Sequence, residues 1–286
     1  MNDSGYLKVA VPNKGSLAET AAQMLSEAGY RQRWDNKDLV LLDADNKVEF
    51  YYLRPRDIAV YVGEGTLDLG ITGRDLLLDS GAQAAEVMKL GFARSTFRFA
   101  APTEAGLTVP DLAGKRLATS YPGLLQCWLA DRGLEARLIR LDGAVESAVR
   151  LGVADAIADV VQTGSTLHKA GLAVFGDVIL ESEAILIKRA TGPEPEGLAL
   201  LQRRLSGVIV ARDYVLVDYD IEADHLAAAM ELTPGLEGPT VSALAKPGWS
   251  AVRALVPRAG YQQLMDQLWE VGARAILVTD VSACRL

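Results

Sequence analysis

Residues Glu146–Leu167 read ESAVRLGVADAIADVVQTGSTL. The apolar run Ala156–Val161 has the composition of a short buried strand. It ends in a small, hydroxyl-rich loop where a helix begins. Asp159 is carried near the end of that strand. Gly164 lets the backbone come close to a ligand, and the N–H groups of Ser165, Thr166 and Leu167 lie in a first helical turn, where they have no intrahelical partner. The hydroxyls of Thr163, Ser165 and Thr166 add donors, and the helix dipole favours an anion. Strand, acid, TGxT loop and helix together suit a ribose 5-phosphate, with Asp159 accepting hydrogen bonds from sugar hydroxyls. Taken alone, the same four loop residues also suit an ordinary capped βα turn. Both readings make this segment a βα unit.

Working outward, βα alternation continues in both directions. Upstream, Leu7–Pro12 reads as a strand, Asn13–Gly15 as a turn, and Ser16 as a helix cap with Glu19 at the capping-box spacing. Strands are predicted at Val40–Leu42, Val48–Leu53 and Leu67–Thr72, and a helix at Arg56–Glu64. A second unit starts near Pro102, with strands at Arg116–Thr119 and Arg137–Leu141 and helices from Gly123 to Arg132 and over Ala144–Leu151. Val174–Lys188 is strand-like and returns to the first unit. The loop TGPEPEG at 191–197 precedes a linking helix, Leu198–Leu205. After Gly207 the predicted order is strand Val208–Val217, helix Ile221–Leu232, strands Thr240–Leu244 and Ala251–Val256, helix Gly260–Val271 and strand Ala275–Thr279. That is βαββαβ, the ferredoxin-like order. The expected fold class is α/β: two periplasmic-binding-protein-like α/β lobes with largely parallel sheets and a C-terminal ferredoxin-like domain. The expected boundaries are 1–101 with 178–206 for the first lobe, 102–177 for the second and 207–286 for the tail. Two lobes imply a cleft, a common place for ligands.

Composition narrows the classes of function. The 286 residues suit two or three domains, and a net charge of −8, from 29 basic and 37 acidic residues, argues against a nucleic-acid surface. It leaves room for a phosphorylated small substrate, because phosphate sites are built locally from N–H groups and a few cations. No apolar run is long enough for a membrane span. Met1–Gly5 has no positive region or cleavage site, so no signal peptide and a cytoplasmic location are expected. Cys127 and Cys284 read as reduced thiols, and with His168 and His225 as the two histidines a zinc site is not expected. A metal, if used, should be Mg²⁺ on carboxylates and substrate phosphates.

Glu146, Gly152, Ala154, Ile157, Asp159, Thr163, Gly164, Thr166 and Leu167 resemble, in register, the signature of the ATP phosphoribosyltransferases. The resemblance extends to PNKG at 12–15, YLRPRDIAVYV at 52–62, LDLGITGRDLL at 67–77 and LDGAVE at 141–146, and continues through the tail. It implies displacement of pyrophosphate from C1 of phosphoribosyl pyrophosphate by N1 of the adenine of ATP, the first step of L-histidine biosynthesis, with Mg²⁺ as cofactor.

On that resemblance Asp155, Asp159, Thr163, Gly164, Ser165, Thr166 and Leu167 would bind phosphoribosyl pyrophosphate. Lys14, Arg54, Arg56, Gly73 and Tyr121 would meet ATP or pyrophosphate, and Asp75 and Asp159 would hold the metal. Asp159, Glu146, Lys14 and Arg54 are the catalytic candidates. The bland alternatives stay open: surface charge for Lys14, Arg54 and Arg56, a helix cap for Asp75, packing for Tyr121 and a solvated side chain for Asp155. The tail resembles the histidine-binding domain of the long enzyme form. The positions implied for L-histidine are Asp220, Leu236, Thr240, Leu255 and Ala275, with AMP as a further ligand and a homo-oligomer, dimer to hexamer, as the assembly. Two other classes fit less well. A solute-binding protein would share the lobes but lacks a reason for the acid–TGST loop. Other phosphoribosyltransferases carry two adjacent acids before the TG turn, whereas Asp159 here precedes Val160.

Overall fold

The computed structural model describes residues 5–33, 38–162 and 164–285. Thr163 and the side chain of Ser16 lie outside the described residues, and with them the expected cap at Ser16 and the expected Thr163 hydroxyl. In chain order the elements of the first part are β1 (Leu7–Pro12), α1 (Ser16–Glu27), β2 (Val40–Asp43), β3 (Val48–Leu53), α2 (Pro55–Gly63), β4 (Leu69–Gly73), α3 (Arg74–Ser80), β5 (Ala84–Lys89), β6 (Ser95–Pro102), β7 (Arg116–Thr119), α4 (Pro122–Ala130), β8 (Arg137–Arg140), α5 (Ser147–Arg150), β9 (Ala156–Val161), α6 (Ser165–Lys169), β10 (Leu172–Ser182) and β11 (Ala184–Arg189).

These strands form two sheets. The first has six strands in the order β2-β3-β1-β4-β11-β5, and the second has five in the order β10-β6-β9-β7-β8. Each sheet has a parallel centre made by βα crossovers: β1 runs parallel to β3 and β4, and β7 runs parallel to β8 and β9. The sheets are more mixed than expected, because β11 enters antiparallel between β4 and β5, and β6 and β10 pair antiparallel beside β9. The chain passes between the sheets twice, between Lys89 and Ser95 and again at Glu183. Those passages lie several residues from the expected boundaries at 101/102 and 177/178, because β6 and the end of β10 already belong to the second sheet.

Ile58, Ala59, Val62 and Leu77 pack against Ile185 and Ile187 of the first sheet. The second is covered on both faces. Phe97, Phe99, Leu117, Leu125 and Ala158 lie on one side, and Ala100, Ala118, Ala148, Ile157 and Leu167 on the other. Burial on both faces explains why Ala156–Ala158 are all apolar rather than alternating. Of the expected helix Ala144–Leu151, only the turn Ser147–Arg150 forms, with Ala144 at φ 49° outside it.

By internal contacts, residues 1–26 and 30–198 form one compact unit, and 27–29 with 199–286 form another. The second unit contains α7 (Leu198–Asp213), β12 (Tyr214–Glu222), α8 (Leu226–Leu232), β13 (Thr240–Ala243), β14 (Trp249–Pro257), α9 (Tyr261–Glu270) and β15 (Arg274–Asp280). Its four strands lie in the order β13-β14-β12-β15 and pair antiparallel throughout, which is the ferredoxin-like arrangement. Three expectations shift here: the linking helix runs to Asp213 instead of stopping near Leu205, the strand expected at Val208–Val217 lies at Tyr214–Glu222, and the helix expected from Ile221 begins at Leu226. Gly207 is there for a close approach, since a Cβ at that position would stand 2.0 Å from the carbonyl oxygen of Cys284. Among the described residues no helix is long and apolar enough to cross a membrane.

Candidate functional site

The end of β9 and the start of α6 enclose a cavity of about 410 Å³, lined by Glu146, Asp159–Gln162 and Gly164–Leu167. Gly164 is the residue that turns strand into helix. It sits at the N-cap of α6 with φ 72° and ψ −1°, a left-handed conformation that costs glycine least. Ser165 and Thr166 follow with exposed side chains, while Leu167 is buried and pins the turn to the lobe. The carboxylate of Asp159 accepts the N–H of Val160 at 2.8 Å. Burial pushes that carboxyl up to about 6, and the negative charges of Glu146 and Asp75 add to the rise. The Val160 N–H and the Arg56 guanidinium pull the other way. The cavity therefore concentrates negative charge on one wall and offers N–H groups and hydroxyls on the other.

Arg56 and Asp75 reach this neighbourhood from the first lobe. Arg56, in the first turn of α2, pairs through Nη1 with Asp79 Oδ2 at 2.7 Å. Its guanidinium lies 5.1 Å from the centroid of the Tyr121 ring, which belongs to the second lobe. That ring also meets Phe97 edge-on at 5.5 Å. Arg56 on the ring and Phe97 at its edge thus hold Tyr121 in place between the two lobes. Burial raises the Tyr121 hydroxyl well above its ordinary range; Asp75, which it hydrogen-bonds, and Asp159 push it the same way.

Asp75 is not the cap of α3, since Gly73 holds that position. Its carboxylate instead accepts the hydroxyl of Ser182 at 2.8 Å, and its own N–H donates back to that oxygen at 3.1 Å. A Cβ at Gly73 would stand 2.2 Å from Asp75 Oδ1, so the glycine makes room for this carboxylate. Lys14, in the bend after β1, and Arg54, at the N-cap of α2, have exposed side chains.

Asp155 does not join the cavity. It stands at the opposite end of β9 from Gly164, and its oxygens take the Arg116 guanidinium at 2.7 Å and the Arg116 N–H at 2.8 Å. Those two hydrogen bonds hold its carboxyl down at about 2. It forms an ion pair between β7 and β9.

A family model described as ATP phosphoribosyltransferase matches residues 54–207, and one described as the HisG C-terminal domain matches 211–283. The chain is 63% identical over 280 residues to an ATP phosphoribosyltransferase of Kocuria rhizophila, covering 98% of this chain and all of that one. It is 57% identical to one of Streptomyces coelicolor at the same coverage. The chain belongs to the ATP phosphoribosyltransferase family. The match to the C-terminal domain makes it the long form. Among solved structures it is similar to the ATP phosphoribosyl transferase (HisG:HisZ) complex of Thermotoga maritima, at 27% identity and a TM-score of 0.62, over 71% of this chain and 98% of that one.

Two polar residues escaped the sequence reading, Asp79 and Ser182. Asp79 is four residues from Asp75 on α3, which places both on one helix face. Their partners lie 44 and 107 residues away, and no local signal marks them. The tail positions are spread out. Asp220 pairs with Ala251, and Leu255 pairs with Leu216 four places along the same ladder, roughly 13 Å away. Thr240 opens β13, Leu236 is exposed before it, and Ala275 sits at φ 48° at the start of β15. Asp220 also faces Arg274, the neighbour of Ala275, across β12 and β15, and Thr240 faces Arg253, two residues from Leu255, across β13 and β14.

Proposed function

We propose that this chain joins N1 of the adenine of ATP to C1 of phosphoribosyl pyrophosphate, releasing pyrophosphate, as the first step of L-histidine biosynthesis in the cytoplasm. The observation that carries the residue assignment is the cavity in which Asp159 and Glu146 face the Gly164–Leu167 turn. The N–H groups of Ser165, Thr166 and Leu167 receive the 5-phosphate, with the Thr166 hydroxyl as a further donor. Asp159 and Glu146 accept hydrogen bonds from the ribose hydroxyls. They also place negative charge beside a ring that turns cationic as the bond to pyrophosphate breaks. Lys14, Arg54 and Arg56 take up the charge of pyrophosphate and of the ATP phosphates, Gly73 leaves the backbone open, and Tyr121 lines the approach. The adenine N1 is a weak nucleophile, so most of the acceleration comes from positioning.

The donor set fits Mg²⁺. Two carboxylates share one cavity wall, and no cluster of three or more ligating side chains forms among the described residues, so substrate phosphates and water would complete the shell. Asp159 and Glu146 would hold the ion, and Asp75, engaged by Ser182 and Tyr121, adds negative charge to the same neighbourhood from the first lobe. When bound, Mg²⁺ supplies charge neutralisation for the departing pyrophosphate.

The tail is assigned to L-histidine inhibition, with Asp220, Leu236, Thr240, Leu255 and Ala275 as the positions to probe and a dimer or hexamer as the working assembly. AMP, which shares the adenine and phosphate of ATP, is a competing ligand on this reading. Purified chain with ATP, phosphoribosyl pyrophosphate, Mg²⁺ and pyrophosphatase tests the whole proposal by ultraviolet absorbance. A rise that requires both substrates supports it, and no rise in the presence of an active control enzyme rejects it.

A further inference from the structure

We propose that Asp79 is a positioning residue of this site: it holds Arg56 of the first lobe and the start of α4 in the second lobe in one fixed relation. The inference rests on the assignment of Arg56 to pyrophosphate made above.

Asp79 has a side chain only 8% exposed and does not line the cavity at the start of α6. A buried carboxylate costs folding energy unless it is well paired. This one is paired entirely across the lobes and to α2. Oδ1 accepts the N–H of Gly123 at 2.8 Å and of Leu124 at 3.2 Å, which are orphan donors in the first turn of α4. Oδ2 takes Arg56 at 2.7 Å. One carboxylate thus caps a nine-residue helix of one lobe from a helix of the other and clamps an arginine at the same time. The approach is close by construction, because a Cβ at Gly123 would stand 2.2 Å from the backbone oxygen of Asp79. Both α4 and Arg56 then bear on the site. Tyr121, the residue before α4, is covered by Arg56 and bonded to Asp75, and Arg56 counters the charge of Asp159.

An arginine on a free stem loses rotamer entropy when it grips an anion, whereas one already clamped does not. Asp79 clamps Nη1, and among the described residues Nε and Nη2 carry no other partner and stay available for an anion. Tethering to α4 also sets the spacing between Arg56 and the β9–α6 turn, which reside in different lobes. Pyrophosphate binding should therefore depend on Asp79, while binding of a phosphosugar to the Gly164–Leu167 turn should not.

The experiment compares full-length wild type, Asp79→Ala and Asp79→Asn by calorimetry with pyrophosphate and, separately, ribose 5-phosphate, each with Mg²⁺, together with steady-state kinetics and melting temperatures. Asp79→Asn keeps a carbonyl acceptor for the α4 N–H groups and loses the negative charge that pairs with Arg56. Both variants are expected to weaken pyrophosphate and lower kcat by about tenfold, the size of one charge-assisted contact, while ribose 5-phosphate stays within about threefold. Asp79→Asn is expected to melt close to wild type. Wild-type pyrophosphate affinity in Asp79→Asn overturns the inference. So does parallel weakening of both ligands with a falling melting temperature, which marks a role in folding alone. The two claims fail separately: a wild type that makes no N1-phosphoribosyl-ATP defeats the proposed function, whatever the variants bind.

Discussion

Replacing Gly164 with alanine tests the phosphate turn without touching any side chain. A Cβ at this position would meet only Val161 Cγ1 at 3.8 Å, an ordinary contact, so crowding is not the perturbation. The perturbation is conformational: φ is 72°, and an L-residue with a Cβ is roughly 1–2 kcal/mol less stable there than in the right-handed region. The turn itself carries little to resist relaxation. α6 is five residues long, with Ser165 and Thr166 exposed and Leu167 as its buried anchor. In the free variant the backbone relaxes and the N–H groups of Ser165–Leu167 diverge; in the complex the phosphate forces them back. The strain therefore appears in binding rather than in global stability. The expected loss is about 5- to 30-fold in the Kd of ribose 5-phosphate or phosphoribosyl pyrophosphate, with a melting temperature close to wild type. Titration calorimetry on the full chain measures the first and thermal unfolding the second. An unchanged Kd refutes the assignment of this turn to the phosphate. A large fall in melting temperature with no change in Kd would make Gly164 a folding residue only.

Thr166→Ala removes one hydroxyl donor to an anion and should weaken phosphoribosyl pyrophosphate by about 1.5–3 kcal/mol, roughly ten- to a hundredfold in KM, with chemical denaturation unchanged. The Arg116–Asp155 pair makes a prediction about acid stability. The Asp155 carboxyl lies near 2 in the folded state against 3.8 ordinarily, so its stabilisation is complete above about pH 4 and is lost as pH falls towards 2. Asp155→Asn should therefore melt lower than wild type at neutral pH, with the gap closing between about pH 4 and 2; a gap that stays constant over that window rejects the ion pair as its source. L-Histidine should inhibit turnover of the full chain and leave a chain truncated after Asp213 unaffected, as read by initial rates. The cut belongs there because α7 runs through Gly207 to Asp213.

Local chemistry made part of this molecule legible in the sequence. Ala156–Ala158 are buried on both sheet faces and so read as an apolar run that Asp159 interrupts, and Gly164 is a glycine because the turn needs a positive φ. The βαββαβ tail is readable from its alternation, and the passage of Val174–Lys188 from one sheet to the other from its length. Gly207 misled because a glycine inside a helix and a glycine ending one look alike until the Cys284 carbonyl is seen against it. Strands β5 and β6 went unread: β5 is half-buried without clean alternation, and the passage between them has no loop signature. The site divides in the same way. The β9–α6 turn is contiguous, and its residues were named together. Asp79 and Ser182 act across the lobes, through partners far off in the chain, and Asp155, named on the resemblance, is carried by the strand to the end opposite Asp159's turn, a position the sequence does not show.

The linkage in the product tests the central claim most directly. Product made by the full chain from ATP and phosphoribosyl pyrophosphate is isolated, and its ribose C1 is traced by nuclear magnetic resonance to the purine nitrogen that bears it. The expected result is a bond to N1 of adenine, formed with one pyrophosphate released per turnover and lost when Asp159 is replaced by alanine. A bond to any other atom, hydrolysis of phosphoribosyl pyrophosphate without transfer, or full activity in Asp159→Ala would contradict it.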